Sequence, residues 1–222
     1  MKYQYILFDL DGTITESAPG ILNSVRYALN KMGFAIRDEE ELLQFIGPPL
    51  VDSMKKYYGM NEEQAEQAVV FYREYFLQKG LFENSVYEGI EESLKLLSES
   101  GKKHAIATSK PEEYSVRIIE HFGLTDKFEK ICGATMDKSR NEKADVIRYT
   151  LEMLGIPDED KGSVLMVGDR RHDIIGAKQN GLDSMGVLYG YGDRNELEEA
   201  GADYIAESAM DVAKIILKLD EE

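Results

Sequence analysis

Two aspartates stand two residues apart just after an apolar run near the start of the chain, in Asp9-Leu10-Asp11-Gly12-Thr13. On an extended backbone, side chains two apart share a face, so both carboxylates can address one spot. Gly12 lets the chain turn sharply behind them. A second apolar run closes on Thr108-Ser109-Lys110, and a third on Gly168-Asp169. Asp173 follows Asp169 by four residues, one turn along a helix, so it can face the same place. Lys143 stands at the start of a helical pattern, in Asn141-Glu142-Lys143.

The physics of such a gathering is restrictive. An ordinary aspartate has a pKa near ~3.9, so Asp9, Asp11, Asp169 and Asp173 together would carry about four negative charges at pH 7. Two of them ~4 Å apart repel by about 4 kcal/mol at an effective dielectric of ~20. The cluster therefore calls for a cation. With oxygen ligands only, and no cysteine or histidine partner, the expected ion is hard: Mg²⁺ rather than zinc. Lys143 adds a second, fixed positive charge. A metal, a lysine, a hydroxyl and a spare carboxylate suit phosphoryl transfer, which depends on positioning and charge neutralisation. A carboxylate can itself be the nucleophile and form an aspartyl phosphate.

The elements that must position these groups read as follows. Tyr3–Phe8 is expected to be a buried strand. Residues 15–83 read as a purely helical block: Ser17–Met32 with Ser17 as N-cap, Asp38–Phe45 closed by Gly47-Pro48-Pro49, Leu50–Tyr58 ended by Gly59, and a long helix from Asn61 to about Lys79. From there helices and strands alternate. Lys103–Thr108, Phe128–Gly133, Val164–Gly168 and Ser184–Leu188 are the expected strands. Helices are expected over Glu88–Ser100, Pro111–Phe122, Asn141–Leu154, Arg171–Asn180 and Ala209–Leu217. Alternating βα units imply an α/β fold: a parallel sheet with helices on both faces, a three-layer Rossmann-like sandwich. The helical block is inserted after the first strand. The expected domains are thus an α/β core of residues 1–14 and 84–222 and a helical insert of residues 15–83. In open sheets of this kind ligands bind at the carboxyl ends of the strands, where the residues above fall.

Bulk properties narrow the partners. The 222 residues suit one core with an inserted subdomain. Acidic residues outnumber basic ones 42 to 26, for a net charge of -16, which disfavours nucleic acid and anionic membrane surfaces. The single cysteine, Cys132, permits no intrachain disulfide and is expected to be a small core residue. The N-terminal segment does not read as a secretory signal, and no apolar stretch is long enough to span a bilayer, so a reducing cytoplasm is the expected location. Oligomeric state is not legible.

The four groups, in their order along nearly the whole chain, resemble the motifs of the haloacid dehalogenase superfamily. These are Asp9-Leu10-Asp11-Gly12-Thr13, then Thr108, then Lys143, then Gly168-Asp169 with Asp173. The stretch from Asp11 to Gly20 resembles the phosphoglycolate phosphatase branch with its small helical cap. Phe45-Ile46-Gly47-Pro48-Pro49-Leu50 is similar to relatives described as 5′-nucleotidases. The resemblance implies a Mg²⁺-dependent hydrolase of a small phosphate monoester. It implies that Asp9 attacks phosphorus and binds the metal, and that Asp11 protonates the leaving group and then takes a proton from water. Thr108 and Ser109 would hold phosphate oxygens, Lys143 would neutralise nucleophile and phosphate, Asp169 would bind the metal directly, and Asp173 would bind it or its waters. Two positions depart from the pattern: Ser109 stands where asparagine is usual, and Ala144 follows the lysine where proline is frequent. Lys138 is a rival for the lysine, and Arg170, Arg171 and His172 have no assigned role.

Plainer readings stand beside these. His104 and His121 are expected to be structural histidines, and Tyr57, Tyr58, Tyr72 and Tyr75 to pack the helical block. Gly190-Tyr191-Gly192 lacks the context of a dinucleotide-binding loop. A phosphosugar mutase is an alternative enzyme on the same residues. A receiver-like domain storing phosphate on an aspartate is the non-enzymatic alternative.

Overall fold

The computed structural model describes every residue except Arg37, Gly47, Pro48, Lys138 and Glu222, with the backbone alone at Glu39 and Glu40. The expected Gly47-Pro48-Pro49 loop therefore lies largely outside the described residues, as does Lys138. Residues 1–16 and 86–222 pack as one compact unit and residues 17–85 as another. In chain order the elements are β1 (Tyr5–Phe8), β2 (Thr15–Glu16), α1 (Ala18–Lys31), α2 (Glu39–Leu42), α3 (Leu50–Tyr58), α4 (Glu62–Tyr75), β3 (Ser85–Val86), α5 (Ile90–Glu99), β4 (Lys103–Pro111), α6 (Glu112–His121), β5 (Lys130–Ala134), α7 (Lys143–Leu154), β6 (Val164–Gly168), α8 (Arg171–Gln179), β7 (Asp183–Val187), α9 (Arg194–Ala200), β8 (Tyr204–Ala206) and α10 (Ala209–Lys218).

The larger unit is the expected α/β layer structure. Six strands lie in the order β5-β4-β1-β6-β7-β8, all pairs parallel. β1 is central because its short apolar run can be buried on both faces. Leu7 pairs in register with Ala105 of β4 and Met166 of β6. These residues, with Ala107, meet Val146, Ile147 and Leu151 of α7 and Ala177 of α8 in one core. Each fully buried Leu, Ile, Val or Met side chain there contributes roughly 1.5–3 kcal/mol. The alternate residues Ile6, Phe8, His104 and Ile106 turn to the opposite face, the face of α5 and α10. There the Phe8 and His104 rings meet edge-on at 5.9 Å.

Among the described residues the regular elements of the smaller unit are helical, apart from Ser85, which begins β3. Asn61 Oδ1 accepts from the Gln64 amide at 2.9 Å and Gln64 Oε1 accepts from the Asn61 amide at 3.1 Å, a reciprocal cap that starts α4. Gly59, with φ +64°, ends α3. α4 stops at Tyr75 and gives way to a π turn over Phe76–Gly80, where a single helix to Lys79 is expected from sequence. Gly20 of α1 lies against Gly80 of that turn: a Cβ at Gly20 would sit 1.9 Å from the Gly80 carbonyl oxygen.

β8 and α9 are absent from the sequence-based expectation. Only Leu197 of α9 is buried, so its seven residues show no apolar period. β8 is a three-residue edge strand, too short to alternate visibly. β4 also continues past Thr108 to Pro111, through an irregularity in its pairing with β5. Among the described residues no helix is long and apolar enough to cross a membrane.

Candidate active site

The candidate site is built at the carboxyl ends of β1, β4 and β6. The Asp9 amide donates to the Val167 carbonyl at 2.9 Å, so Asp9 still belongs to the sheet ladder. The chain then winds around one atom: the Leu10 carbonyl accepts from the amides of Thr13, Ile14 and Thr15. Gly12 supplies the positive φ of +84° that this winding needs.

Lys143 arrives at the first residue of α7, its side chain buried. Its Nζ donates to Asp9 Oδ1 at 2.7 Å and to the Ala107 carbonyl at 3.0 Å, and lies 2.7 Å from Asp173 Oδ1. α7 can come this close to α8 because residue 176 is glycine: a Cβ there would be 2.9 Å from Lys143 Cγ. Asp173 sits in the first turn of α8, where its Oδ2 accepts from the Arg170 amide at 3.0 Å. Asp169 is wholly buried. Its Oδ2 accepts from the Tyr191 amide at 2.8 Å, and Thr13 Oγ1 stands 3.5 Å from its Oδ1.

Asp9, Asp169 and Asp173 each offer a carboxylate oxygen within 4.8 Å of the others. Three carboxylates against one lysine leave an excess of two negative charges, all buried. The groups respond accordingly. Burial raises Asp9 to about 6, the charges of Asp173 and Asp11 add to the rise, and Lys143 opposes it. Burial also holds Asp169 well above the usual carboxylate range, reinforced by Asp173 and Asp9 and opposed by the Tyr191 amide. For Lys143 burial pushes the pKa down, but Asp173 and Asp9 outweigh it and the net direction is up. An all-oxygen, desolvated cluster of carboxylates fits a divalent hard cation, and binding one would favour the ionised form of Asp9 and Asp169.

Asp11 stands outside that group of three. Lys110 Nζ donates to its Oδ2 at 2.6 Å, while Oδ1 is buried with no hydrogen-bond partner among the described residues. Thr108 is buried, and its Oγ1 accepts from the Lys110 amide at 3.2 Å. Ser109 is exposed. Lys110 is thus a group that sequence reasoning passed over, although it follows Thr108-Ser109 at the same strand end. The Tyr191 amide was passed over too. Its signal was the pair of glycines around it, judged only as a nucleotide loop.

Arg170 Nε and the Arg171 amide both donate to Glu196 Oε1 of α9, at 2.8 and 2.9 Å. His172 is exposed; partial desolvation and its two arginine neighbours lower its pKa. Cys132 and His104 are buried, as expected of core residues.

The family model for haloacid dehalogenase-like hydrolases matches residues 6–187. A 5′-nucleotidase of Pseudomonas aeruginosa is 42% identical over 197 residues, 89% of this chain and 88% of that protein. The tyrosine-protein kinase PtkA of Mycobacterium tuberculosis is 38% identical over 207 residues, 93% of this chain and 69% of that protein. The crystal structure of a predicted phosphatase from Clostridium acetobutylicum superposes with a TM-score of 0.89 at 47% identity, covering 98% of this chain and all of that one.

Proposed function

The chain belongs to the haloacid dehalogenase-like hydrolase family and is a phosphatase, and we propose that it works with Mg²⁺ through an aspartyl phosphate on Asp9, on a small phosphate monoester. One observation carries this reading: three buried carboxylates converge at the strand ends, and a single buried lysine pairs with two of them, Asp9 and Asp173.

Lys143 holds Asp9 Oδ1, which leaves Oδ2 as the attacking oxygen. It forms the new bond to phosphorus as the ester P–O bond breaks. The departing oxygen takes the proton of Asp11, whose otherwise unpartnered Oδ1 is the atom suited to carry it. In the second half-reaction water gives its proton to Asp11 and its oxygen to phosphorus, and the Asp9 carboxylate is released. Asp9, Asp169 and Asp173 would hold Mg²⁺, with Asp11 or its neighbours completing the shell; the ion supplies charge neutralisation at the transferring phosphoryl group. Thr108 and Ser109 are assigned to the phosphate oxygens. The helical unit of residues 17–85 is assigned the role of cap, selecting the leaving group.

Two substrate classes are favoured by separate observations. The stretch from Asp11 to Gly20 resembles phosphoglycolate phosphatases, and the 42% identical relative is named a 5′-nucleotidase. The PtkA relative adds a third question, whether any acceptor other than water is used. A panel of phosphomonoesters answers all three when ranked by kcat/KM for phosphate release with Mg²⁺ and with chelator, alongside a tyrosine peptide with ATP. Release of phosphate that stops on chelation and returns with Mg²⁺ is expected. Undiminished release under thorough chelation, or full activity of Asp9→Asn, would overturn the mechanism.

A further inference from the structure

Asp169 is enclosed by three glycines, and two of them lie in a loop that neither the sequence motifs nor the mechanism uses. A Cβ at Gly12 would lie 2.2 Å from Asp169 Oδ2. At Gly190 it would lie 2.3 Å from Asp169 Cβ and 2.3 Å from the Gly12 carbonyl oxygen, and at Gly192 2.0 Å from the Asp169 carbonyl oxygen. Gly190 and Gly192 do not adopt positive φ. Their requirement is therefore space and not backbone freedom, and most of the atoms in the way belong to the backbone or to a wholly buried side chain, with no room to yield.

What the missing side chains make possible is the approach of the Tyr191 amide to Asp169 Oδ2, at 2.8 Å. The loop is tied to the Asp9–Thr15 turn at further points. Tyr189 donates its hydroxyl to the Thr13 carbonyl at 3.0 Å, Tyr191 hydrogen-bonds Tyr87, and the Tyr87 and Tyr189 rings meet at 5.0 Å. With Oδ2 so engaged, Oδ1 is the Asp169 oxygen left for a cation shared with Asp9 and Asp173.

We propose that the Gly190-Tyr191-Gly192 loop is the positioning element that sets Mg²⁺ affinity through Asp169. The proposal rests on the metal reading given above. Groups that orient a metal ligand are typically worth 10–100-fold in affinity. Gly190→Ala, which must push the loop off Asp169, is expected to raise the Mg²⁺ dissociation constant by about that factor. Tyr87→Phe, which adds no bulk and removes only an anchor of Tyr191, is expected to raise it by about threefold to tenfold.

The test is calorimetric titration of Mg²⁺ into chelator-treated protein, alongside thermal unfolding. Gly201→Ala is the control. Gly201 ends α9 at φ +84°, and its Cβ would meet only the Lys178 side chain, so the change strains the chain without touching Asp169. It is expected to lower stability and leave the Mg²⁺ constant unchanged. Should Gly190→Ala fail to fold, Tyr87→Phe decides. Mg²⁺ binding at the parent's strength in the folded variants, or an equal loss in Gly201→Ala, would overturn the proposal. A parent that binds no Mg²⁺ would instead overturn the metal reading itself.

Discussion

Replacing Lys143 by methionine keeps most of the aliphatic stem and removes the ammonium that faces Asp9 and Asp173, both at 2.7 Å. Without a metal, three carboxylates then share a desolvated space with no counter-charge from this lysine. Breaking a buried ion pair from one side costs about 3–5 kcal/mol. The variant has one escape, to take up a proton. Holding a carboxyl of ordinary pKa ~3.9 protonated at pH 7 costs about 3.1 units at about 1.4 kcal/mol each, or about 4 kcal/mol. The two figures agree, so a loss near 4 kcal/mol is expected at pH 7 in chelator. The escape also leaves a signature. Above about pH 4 the folded variant would hold a proton that its unfolded chain releases, so its stability relative to the parent should fall as pH rises, by up to about 1.4 kcal/mol per unit. The window to use is pH 6–8, around and above the value of about 6 to which burial raises Asp9, and the parent, whose Asp169 is also raised, is the reference for the slope. Mg²⁺ should recover part of the loss. Urea unfolding of both proteins at pH 6, 7 and 8, with chelator and with Mg²⁺, measures all of this. A variant within about 1 kcal/mol of the parent at pH 7, with no added pH slope, would refute the account of the cluster as charged and compensated by Lys143.

Asp9→Asn should lower phosphate release by at least about 10³-fold, since an amide cannot form the acyl phosphate, while circular dichroism stays that of the parent. His104 is buried with its pKa lowered to about 4, chiefly by burial. Its unfolded form takes a proton below ~6.5, so parent stability should fall as pH drops from about 6.5 to 4, by about 3 kcal/mol in all. His104→Gln should abolish that component, and an unchanged slope in urea titrations would contradict it. Gly20→Ala would place a methyl group 1.9 Å from the Gly80 carbonyl oxygen, so α1 must move away from the π turn. A loss of about 1–3 kcal/mol in the helical unit, seen as a lower melting temperature, is expected.

The parallel sheet and its helices were legible because apolar runs of strand length alternate with glycine-ended helical patterns, and most of these elements fall within a few residues of their expected bounds. α9 and β8 were not legible, because one buried leucine and three edge residues carry no period. The site was partly legible. Asp9, Asp169 and Asp173 could be grouped because Asp9 and Asp169 each follow directly on a strand, Asp173 lies in the first turn of the helix after the second of these, and strand ends of a parallel sheet share one rim. The ion pair of Lys110 with Asp11 was hidden by the extension of β4 beyond Thr108, which a pattern of apolar residues cannot show past its last apolar member. The contact of Tyr191 with Asp169 was hidden for a different reason: it is made by a backbone N–H, which every residue but proline has. Only the flanking glycines betray it.

The discontinuity of the larger unit has a consequence for the order of events on the ribosome. β1 emerges first, yet its neighbours in the sheet begin at Lys103 and Val164, with the whole helical unit synthesised in between. The first strand must therefore wait, carrying an apolar segment and the nucleophile with no sheet to join, until chain closures of roughly 100 and 160 residues become possible. Closure entropy grows only with the logarithm of loop length, so the wait is set mainly by translation. The helical unit is contiguous in sequence, so nothing in its connectivity obliges it to wait for the C-terminal half. A folded insert of this kind also brings residues 16 and 86 together, which shortens the effective loop between β1 and β4 before β4 has left the exit tunnel.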